Sequence, residues 1–220
     1  GDVIDFVMLL GNVLDLGTPS DNTVTGAKLN NDVISAQTEL AATPADTDEF
    51  LISDAGTIKR IDYSYIKSAN TPAFSAYLSS DQTVTDAAAT KVQFDTEEYD
   101  TAGAYDNSTN YRFTVPSGQA GKYHITANIN GHTDVSRLQY VGLYLYKNGS
   151  RVSQNYTDPR NEGYGLQFSV SASYSLDLSV GDYLEVYGIV DPQGSATYTA
   201  RIETHGDVYT NTFTGFKIIE

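Results

Sequence analysis

The sequence predicts an all-β protein, an antiparallel jelly-roll sandwich preceded by a short mixed N-terminal segment that serves as a stalk or docking element. Three observations predict it. Tyr outnumbers Phe by 17 to 8 and Trp is absent, which suits exposed β-structure because Tyr combines apolar area with a polar tip. Short runs with alternating apolar residues recur from residue 71 onward. Turns rich in Gly, Pro and Asn separate these runs, and this rhythm is typical of a sandwich or barrel.

The stretch YRFTVPSGQAGKYHITANI, residues 111–129, shows the strand pattern most clearly. Tyr111 and Phe113 share one face of the first run, and Tyr123 and Ile125 share one face of the second, on either side of a turn. The pair Asn148-Gly149 marks another tight turn. We expect nine strands, at about 73–78, 91–94, 111–115, 123–130, 138–147, 165–176, 183–190, 197–203 and 212–219.

Residues 1–70 differ from residues 71–220 and form the predicted N-terminal segment. Apolar residues at three- and four-residue intervals over 3–16 predict an amphipathic helix. Such a short helix needs a partner, and it either coils with copies of itself or docks on other protein surface. A second short helix is predicted over 31–43, and a hairpin over 50–61. The segment is too short to enclose a core, so other subunits are expected to bury its apolar positions.

The formal net charge of −15 argues against nucleic acid as a partner, because phosphate binding needs clustered Lys and Arg. The charge is spread over both parts of the chain, at −7 for residues 1–70 and −8 for residues 71–220. The apolar run at 3–16 is too short and too charged to cross a membrane, so membrane insertion is not expected. With no Cys in the chain, disulfides and thiolate chemistry are excluded.

The spacing of aromatic residues in the middle of the chain is specific. Five residues separate Phe94 from Asp100, four separate Asp100 from Tyr105, and Gly121-Lys122-Tyr123 supplies a Gly-x-Tyr element. This pattern resembles the signature of the complement 1q-like globular domain, the jelly-roll superfamily shared with tumour necrosis factor. The resemblance covers about residues 71–220. Its motif residues here are Phe94, Asp100, Tyr105, Phe113, Gly121, Tyr123, Ile125, Phe213, Gly215 and Phe216.

The match has departures: Phe113 arrives one residue late, the loop from Phe113 to Gly121 is two residues longer, and Ile125 and Ala127 replace aromatic residues. The resemblance implies a homotrimer in which one sheet of each subunit faces a threefold axis. Tyr123, Ile125 and Phe213 would then fill either the inner core or the contact between subunits. The alternative is a monomeric sandwich in which they are plain core residues.

Residues 21–67, DNTVTGAKLNNDVISAQTELAATPADTDEFLISDAGTIKRIDYSYIK, resemble segments of structural fibre proteins of tailed bacteriophages. This resemblance implies a location in the virion, on the tail or the capsid. It also implies that the N-terminal segment binds other virion proteins.

No motif predicts an enzyme, a cofactor or a metal. His124, His132 and His205 lack a zinc-ligand spacing, and no Gly-x-Ser-x-Gly elbow is present. One acidic cluster is a candidate for calcium, which favours several hard oxygens in a flexible loop. The cluster lacks the spacing of a calcium loop, and the alternative is simple solvation. Its residues are Asp95, Glu97, Glu98, Asp100 and Asp106.

The run at 138–147 is apolar on both faces, which predicts a contact surface. Val141, Leu143 and Leu145 are expected in the core, and the opposite face carries Leu138 with three tyrosines. Tyr and Asn suit sugar rings, by stacking and hydrogen bonding; the alternative is a Tyr-rich exterior without a ligand. The candidate contact residues are Tyr140, Tyr144, Tyr146, Tyr156, Asp158, Arg160, Asn161 and Tyr164.

Three functions follow as hypotheses. The first is a non-enzymatic, trimeric phage fibre whose C-terminal knob attaches to a host-surface glycan or protein, or decorates the particle. The second is a secreted or cell-surface bacterial module that binds a ligand or glycan. The third is a glycan-cleaving fibre enzyme, which requires two carboxylates about 5–10 Å apart in a groove.

Overall fold

The computed structural model describes residues 24–67, 71–134, 138–159, 165–193, 200–204 and 210–218. It contains two compact units, which divide between Lys67 and Ser68. The boundary that we predict at residue 70 stays a prediction, since residues 68–70 lie outside the described ranges.

The N-terminal unit contains the predicted hairpin, formed by β1 (Glu49–Asp54) and β2 (Thr57–Asp62). Ala55 and Gly56 connect the strands with φ of 49° and 84°, and positive φ at both residues matches the right-handed twist of a hairpin. The described part also has two single-turn 3-10 helices, Gly26–Lys28 and Tyr63–Tyr65. The predicted helix over 3–16 lies outside the described residues.

The prediction of a second helix over 31–43 is wrong. Residues 31–36 form consecutive turns, and residues 38–41 have no regular structure. At the start of this segment the Asn30 side chain accepts a hydrogen bond from the Asp32 backbone N–H. Asn and Asp favour such local bonds, and these compete with helix formation.

The second unit is a sandwich of two antiparallel sheets. In sheet 1, β9 is central: β12 pairs along one edge, and β14 and β15 share the other. Strands β3 and β6 extend the sheet beyond β15, and β4 pairs with β14. The members of sheet 1 are β3 (Ala73–Tyr77), β4 (Gln82–Val84), β6 (Thr96–Asp100), β9 (Gly121–Thr133), β12 (Gln167–Leu178), β14 (Ala200–Ile202) and β15 (Thr212–Lys217).

Sheet 2 has the order β11-β10-β13-β8-β7, and β5 also pairs with β13. Asn148 and Gly149 form the predicted tight turn between β10 and β11, with φ of 52° and 77°. The members of sheet 2 are β5 (Thr90–Lys91), β7 (Tyr105–Asp106), β8 (Arg112–Thr114), β10 (Leu138–Lys147), β11 (Ser150–Thr157) and β13 (Tyr183–Pro192).

The chain passes repeatedly between the sheets: β8 is in sheet 2, β9 in sheet 1, β10 and β11 in sheet 2, β12 in sheet 1, β13 in sheet 2 and β15 in sheet 1. The predicted all-β, antiparallel jelly-roll sandwich is therefore confirmed. Aromatic rings fill one end of the core. The ring of Phe74 stacks on Phe113 at 4.8 Å and meets Phe213 edge-on at 5.0 Å.

Candidate interaction surfaces

The aromatic signature lies inside the sandwich. Phe94, Phe113, Tyr123, Ile125 and Phe213 are all completely buried within one subunit. Of the two positions that the sequence left open for Tyr123, Ile125 and Phe213, the structure selects the core. These side chains point between the sheets, so they are not available for contact between subunits.

Two other signature residues fix the loop before β7. Asp100 accepts hydrogen bonds from the backbone N–H groups of Ala102 and Tyr105, at 3.1 and 2.7 Å. The Tyr105 hydroxyl donates to the carbonyl of Phe94 at 3.1 Å. Burial raises the pKa of Tyr105, and Glu97 nearby adds to the effect. This arrangement attaches β7 to the core.

The signature glycines permit close approaches in sheet 1. A Cβ atom on Gly215 would lie 2.5 Å from Ile125 Cδ1 and 2.8 Å from Phe74 Cε1. Gly121 has φ of 144°, and a Cβ there would lie 3.0 Å from Lys217 Cε. Phe216 is different because its ring is 39% exposed and lies 5.5 Å from the His124 ring. Of the predicted signature, Phe216 is therefore a residue that remains accessible to a second subunit.

Phe216 belongs to an outer surface of sheet 1 that we call the seam face. Its residues alternate along their strands with core residues and therefore point away from sheet 2. None of them is Asp, Glu, Lys or Arg, and six of the nine are Ala, Ser or Thr: Ala73, Ser75, His124, Thr126, Asn128, Ser171, Ser173, Thr214 and Phe216.

Side-chain hydrogen bonds order the seam face. Ser171 Oγ donates to Asn128 Oδ1 at 2.6 Å, and Ser173 Oγ lies 3.1 Å from His124 Nε2. At one margin, Ser75 Oγ donates to Glu98. Since the chain carries a net charge of −15, a broad face without Asp, Glu, Lys or Arg at its centre is unusual. Interface centres show this depletion of charge.

The outer surface of sheet 2 carries four tyrosines of the predicted contact surface, together with Tyr187, which the sequence-based prediction does not include. These five residues are here called the tyrosine face: Tyr140, Tyr144, Tyr146, Tyr156 and Tyr187. The ring of Tyr156 meets both Tyr140 and Tyr144 edge-on, with centroids 5.6 Å apart in each case. The hydroxyls of Tyr144 and Tyr156 are hydrogen-bonded to each other, and burial raises the pKa of Tyr144.

Cations lie over two of these rings. Arg151 is 4.9 Å from the centroid of Tyr144, Lys91 is 5.9 Å from Tyr187, and Tyr187 packs on Tyr146 at 4.3 Å. Lys91 also pairs with Glu185 at 2.6 Å. The result is a surface of aromatic rings, hydroxyls and a guanidinium group. Aromatic rings can stack on sugars, and hydroxyl and guanidinium groups can donate hydrogen bonds to them.

The structure brings together only part of the predicted contact surface. Tyr140, Tyr144, Tyr146 and Tyr156 are on the tyrosine face, and Asp158 is exposed just after β11. The sequence-based prediction that Leu138 lies on the same face is wrong. The register shifts between Leu138 and Tyr140, and Leu138 is completely buried in the core. The remaining predicted residues, Arg160, Asn161 and Tyr164, lie outside the described residues.

The acidic residues proposed as calcium ligands interact with separate partners. The Ser79 hydroxyl donates a hydrogen bond to Asp95. Asp106 accepts bonds from the backbone N–H of Thr109 and then from those of Ser108 and Asn110, and these bonds lower its pKa. The pKa of Glu97 is raised, through burial and then through Asp100. Within the described residues, no three His, Asp or Glu side chains are arranged to hold a metal ion. Calcium here stays a prediction, without geometric support from these side chains.

Sequence reasoning missed the seam face and the Lys91–Glu185 pair. The alternating serines at 169, 171, 173 and 175 were the available signal for the first, since period-two serines mark an uncharged strand face. Lys91 and Glu185 are separated by 94 residues in the sequence, so no local spacing could reveal their ion pair.

Described helices are all too short and polar to span a bilayer.

No protein-family model matches the sequence, and no curated protein is significantly similar to it.

Many solved structures are similar to the chain, among them the following two. One is the globular domain of zebrafish complement 1qA protein, at 17% identity and a TM-score of 0.46, with 68% of this chain and 99% of that chain covered. The other is Eiger TNF from S. frugiperda, at 13% identity and a TM-score of 0.48, with 69% and 95% covered. Both names belong to the superfamily that the sequence motif resembles. Because both TM-scores are below 0.5, the fold assignment rests on the strand order described above.

Proposed function

We propose that the protein is a non-enzymatic structural component of a bacteriophage virion, a homotrimeric fibre of the tail or capsid with a jelly-roll knob. The seam face carries the proposal. Three copies of a face rich in Ala, Ser and Thr, with no Asp, Glu, Lys or Arg at its centre, can approach one another closely around an axis without burying an unpaired Asp, Glu, Lys or Arg.

The resemblance of residues 21–67 to phage fibre segments supports the virion location, and it assigns attachment to the rest of the particle to the N-terminal unit. The knob is then left to decorate the particle or to contact the host surface. In this proposal the tyrosine face makes that contact, since it lies on the sheet opposite the seam face and stays exposed in a trimer.

The second candidate is a secreted or cell-surface bacterial module that binds a ligand or glycan. The tyrosine face favours it equally, because aromatic rings and Arg151 provide stacking and hydrogen bonding in either setting. The glycan-cleaving alternative has less support. A depression of about 320 Å³ beside β7 and β8 contains one carboxylate, Asp106, which is already bonded to the neighbouring turn, whereas cleavage needs a pair.

An analysis of purified phage particles distinguishes between the two candidate functions. We expect mass spectrometry of density-gradient-purified particles to find the chain at a copy number divisible by three, and antibodies to residues 71–220 to label the particle surface. Recovery of the chain only in cell-free supernatant or on bacterial cells, with none on particles, would favour the second candidate and reject the first.

Attachment is tested on the folded protein with the Tyr156→Ala and Tyr146→Ala variants. We expect both to lose binding to host cells or glycans by at least tenfold and to keep their oligomeric state. Val152→Ala is the matched control on β11, since Val152 is exposed and outside the tyrosine cluster. Unchanged binding by all three variants would remove the tyrosine face from the proposal.

A further inference from the structure

The β1–β2 hairpin of the N-terminal unit has apolar side chains on both of its faces. Leu51 is 80% exposed and Ile58 is 76% exposed, while Phe50 and Ile52 are 42% and 38% exposed. A two-stranded hairpin is at best marginally stable in water. Large apolar residues on both of its sides therefore indicate that both sides pack against protein.

The register separates these residues into two unlike faces. Phe50 pairs with Ile61 and Ile52 with Lys59, which places them on one side, the Phe50 face. On the other side, Leu51 pairs with Arg60 and Ser53 with Ile58; this is the Leu51 face. The Phe50 face is broad and partly aromatic, and Phe50 also contacts the ring of Tyr63 at 6.1 Å. The Leu51 face is aliphatic.

Each face also carries its own ion pair. Lys59 binds Asp54 on the Phe50 face, and Arg60 binds Glu49 on the Leu51 face. Charge is thus neutralised on the Phe50 face, whereas Asp62, which pairs with Glu49 in the register, leaves the Leu51 face with a net charge of −1. The Phe50 face of one copy can consequently pack on the Leu51 face of another without bringing like net charges together, whereas two Leu51 faces would bring two negative charges together.

Two unlike faces are what a closed ring requires. A twofold dimer uses one self-complementary patch, whereas each subunit of a cyclic trimer presents different patches to its two neighbours. We propose that the hairpin is a self-association element, in which the Phe50 face of one copy packs on the Leu51 face of the next around a threefold axis. This inference rests on the proposed trimer and specifies its N-terminal contact.

The absence of Cys from the chain makes cross-linking decisive. In the full-length double variant Ile52→Cys/Ile58→Cys, one thiol lies on each face, and the two thiols of one hairpin point in opposite directions and cannot bond to each other. Oxidation, or a short bismaleimide, is expected to convert most of the chain into covalent trimers on a denaturing gel. The single variants Ile52→Cys and Ile58→Cys are the controls and should stay monomeric on the gel.

Single variants that form covalent dimers as readily as the double variant would show that like faces meet, which overturns the head-to-tail arrangement. If the double variant sediments as a trimer and yet is not cross-linked, the hairpin is covered otherwise, for example by residues 1–23 of its own chain, and only this inference fails. If the unmodified chain sediments as a monomer, the proposed trimer fails and this inference fails with it.

Discussion

The Lys91 ammonium lies 2.6 Å from the Glu185 carboxylate, between β5 and β13. Glu185 is almost completely buried, while the Lys91 side chain is 30% exposed. The partners are therefore unequal: Lys91 can reach water without Glu185, but Glu185 depends on Lys91 for its charge to be compensated.

Replacing Lys91 with Met should leave a buried, unpaired carboxylate and reduce the free energy of unfolding by about 3 kcal/mol, at the lower end for buried pairs. Glu185→Leu should cost less, and the double variant Lys91→Met/Glu185→Leu should regain most of the loss. Urea unfolding at pH 7 measures all three. Equal losses of unfolding free energy in the two single variants would show that other groups also compensate the charge of Glu185.

Tyr123 provides a test of the core assignment. Its ring is completely buried, and its hydroxyl donates to the Gln119 carbonyl at 2.6 Å; burial raises its pKa to about 12. Tyr123→Phe loses this hydrogen bond and should cost about 1 kcal/mol.

Tyr123→Asp removes a core ring, worth about 3–5 kcal/mol, and adds a buried carboxylate. We expect loss of the folded subunit, seen as collapse of the near-ultraviolet circular dichroism at every protein concentration. A folded monomer that has lost only its partners would place Tyr123 in the subunit contact instead.

Gly142 sets the position of the Tyr156 ring. A Cβ at residue 142 would lie 2.7 Å from Tyr156 Cε1 and 2.5 Å from Ile189 Cγ2. Gly142→Ala should therefore displace the ring and cost about 1–3 kcal/mol through overpacking. In the double variant Gly142→Ala/Tyr156→Ala one clash is absent, so its loss should be smaller than the sum of the two single losses. Strict additivity in thermal unfolding would contradict this contact.

Asp182 should make stability depend on pH. Hydrogen bonds from Lys147, Asn148 and the Ser179 backbone lower its pKa from 3.8 to about 2. A lowered pKa means that the folded state favours the carboxylate, so the stabilisation is present above 3.8 and is lost as the pH falls toward 2. The difference in unfolding free energy between wild type and Asp182→Asn should shrink over that range.

Lys147→Met serves as the control for Asp182. It removes the donor that contributes most to the lowered pKa, so the pH-dependent difference caused by Asp182→Asn should be smaller in this background. A difference that stays constant from pH 5 to pH 2 would show that the Asp182 carboxylate is not specifically stabilised.

Sequence patterns located most strands of the sandwich but not the directions in which they face. Strand β10 matches the predicted 138–147 because alternation and the Asn148-Gly149 turn define both of its ends. Strand β11 was missed, since Ser150–Thr157 is largely exposed and has no apolar alternation. It forms because the turn positions it along β10.

The direction in which the side chains of a strand point could be assigned only from its pairing with residues distant in the sequence. Residues 95–100 looked like an acidic loop, yet Thr96–Asp100 pairs with β3 as a strand. Period-two alternation placed Tyr123 and Ile125 on one face, but it could not say whether that face meets the second sheet or a neighbouring subunit. The seam face joins side chains from four strands that are distant in sequence, so its uncharged character becomes visible only when the strands are paired.

The mass of the full-length chain in solution tests the central claim most directly. Sedimentation equilibrium should give three times the 23.9 kDa of one chain. Thr126→Arg, which places three like charges together on the seam face, should give a folded monomer. Gln154→Arg, the same change at an exposed position on β11, should remain a trimer. A monomeric wild-type chain, or a Thr126→Arg protein that stays trimeric with unchanged affinity, would contradict assembly through the seam face.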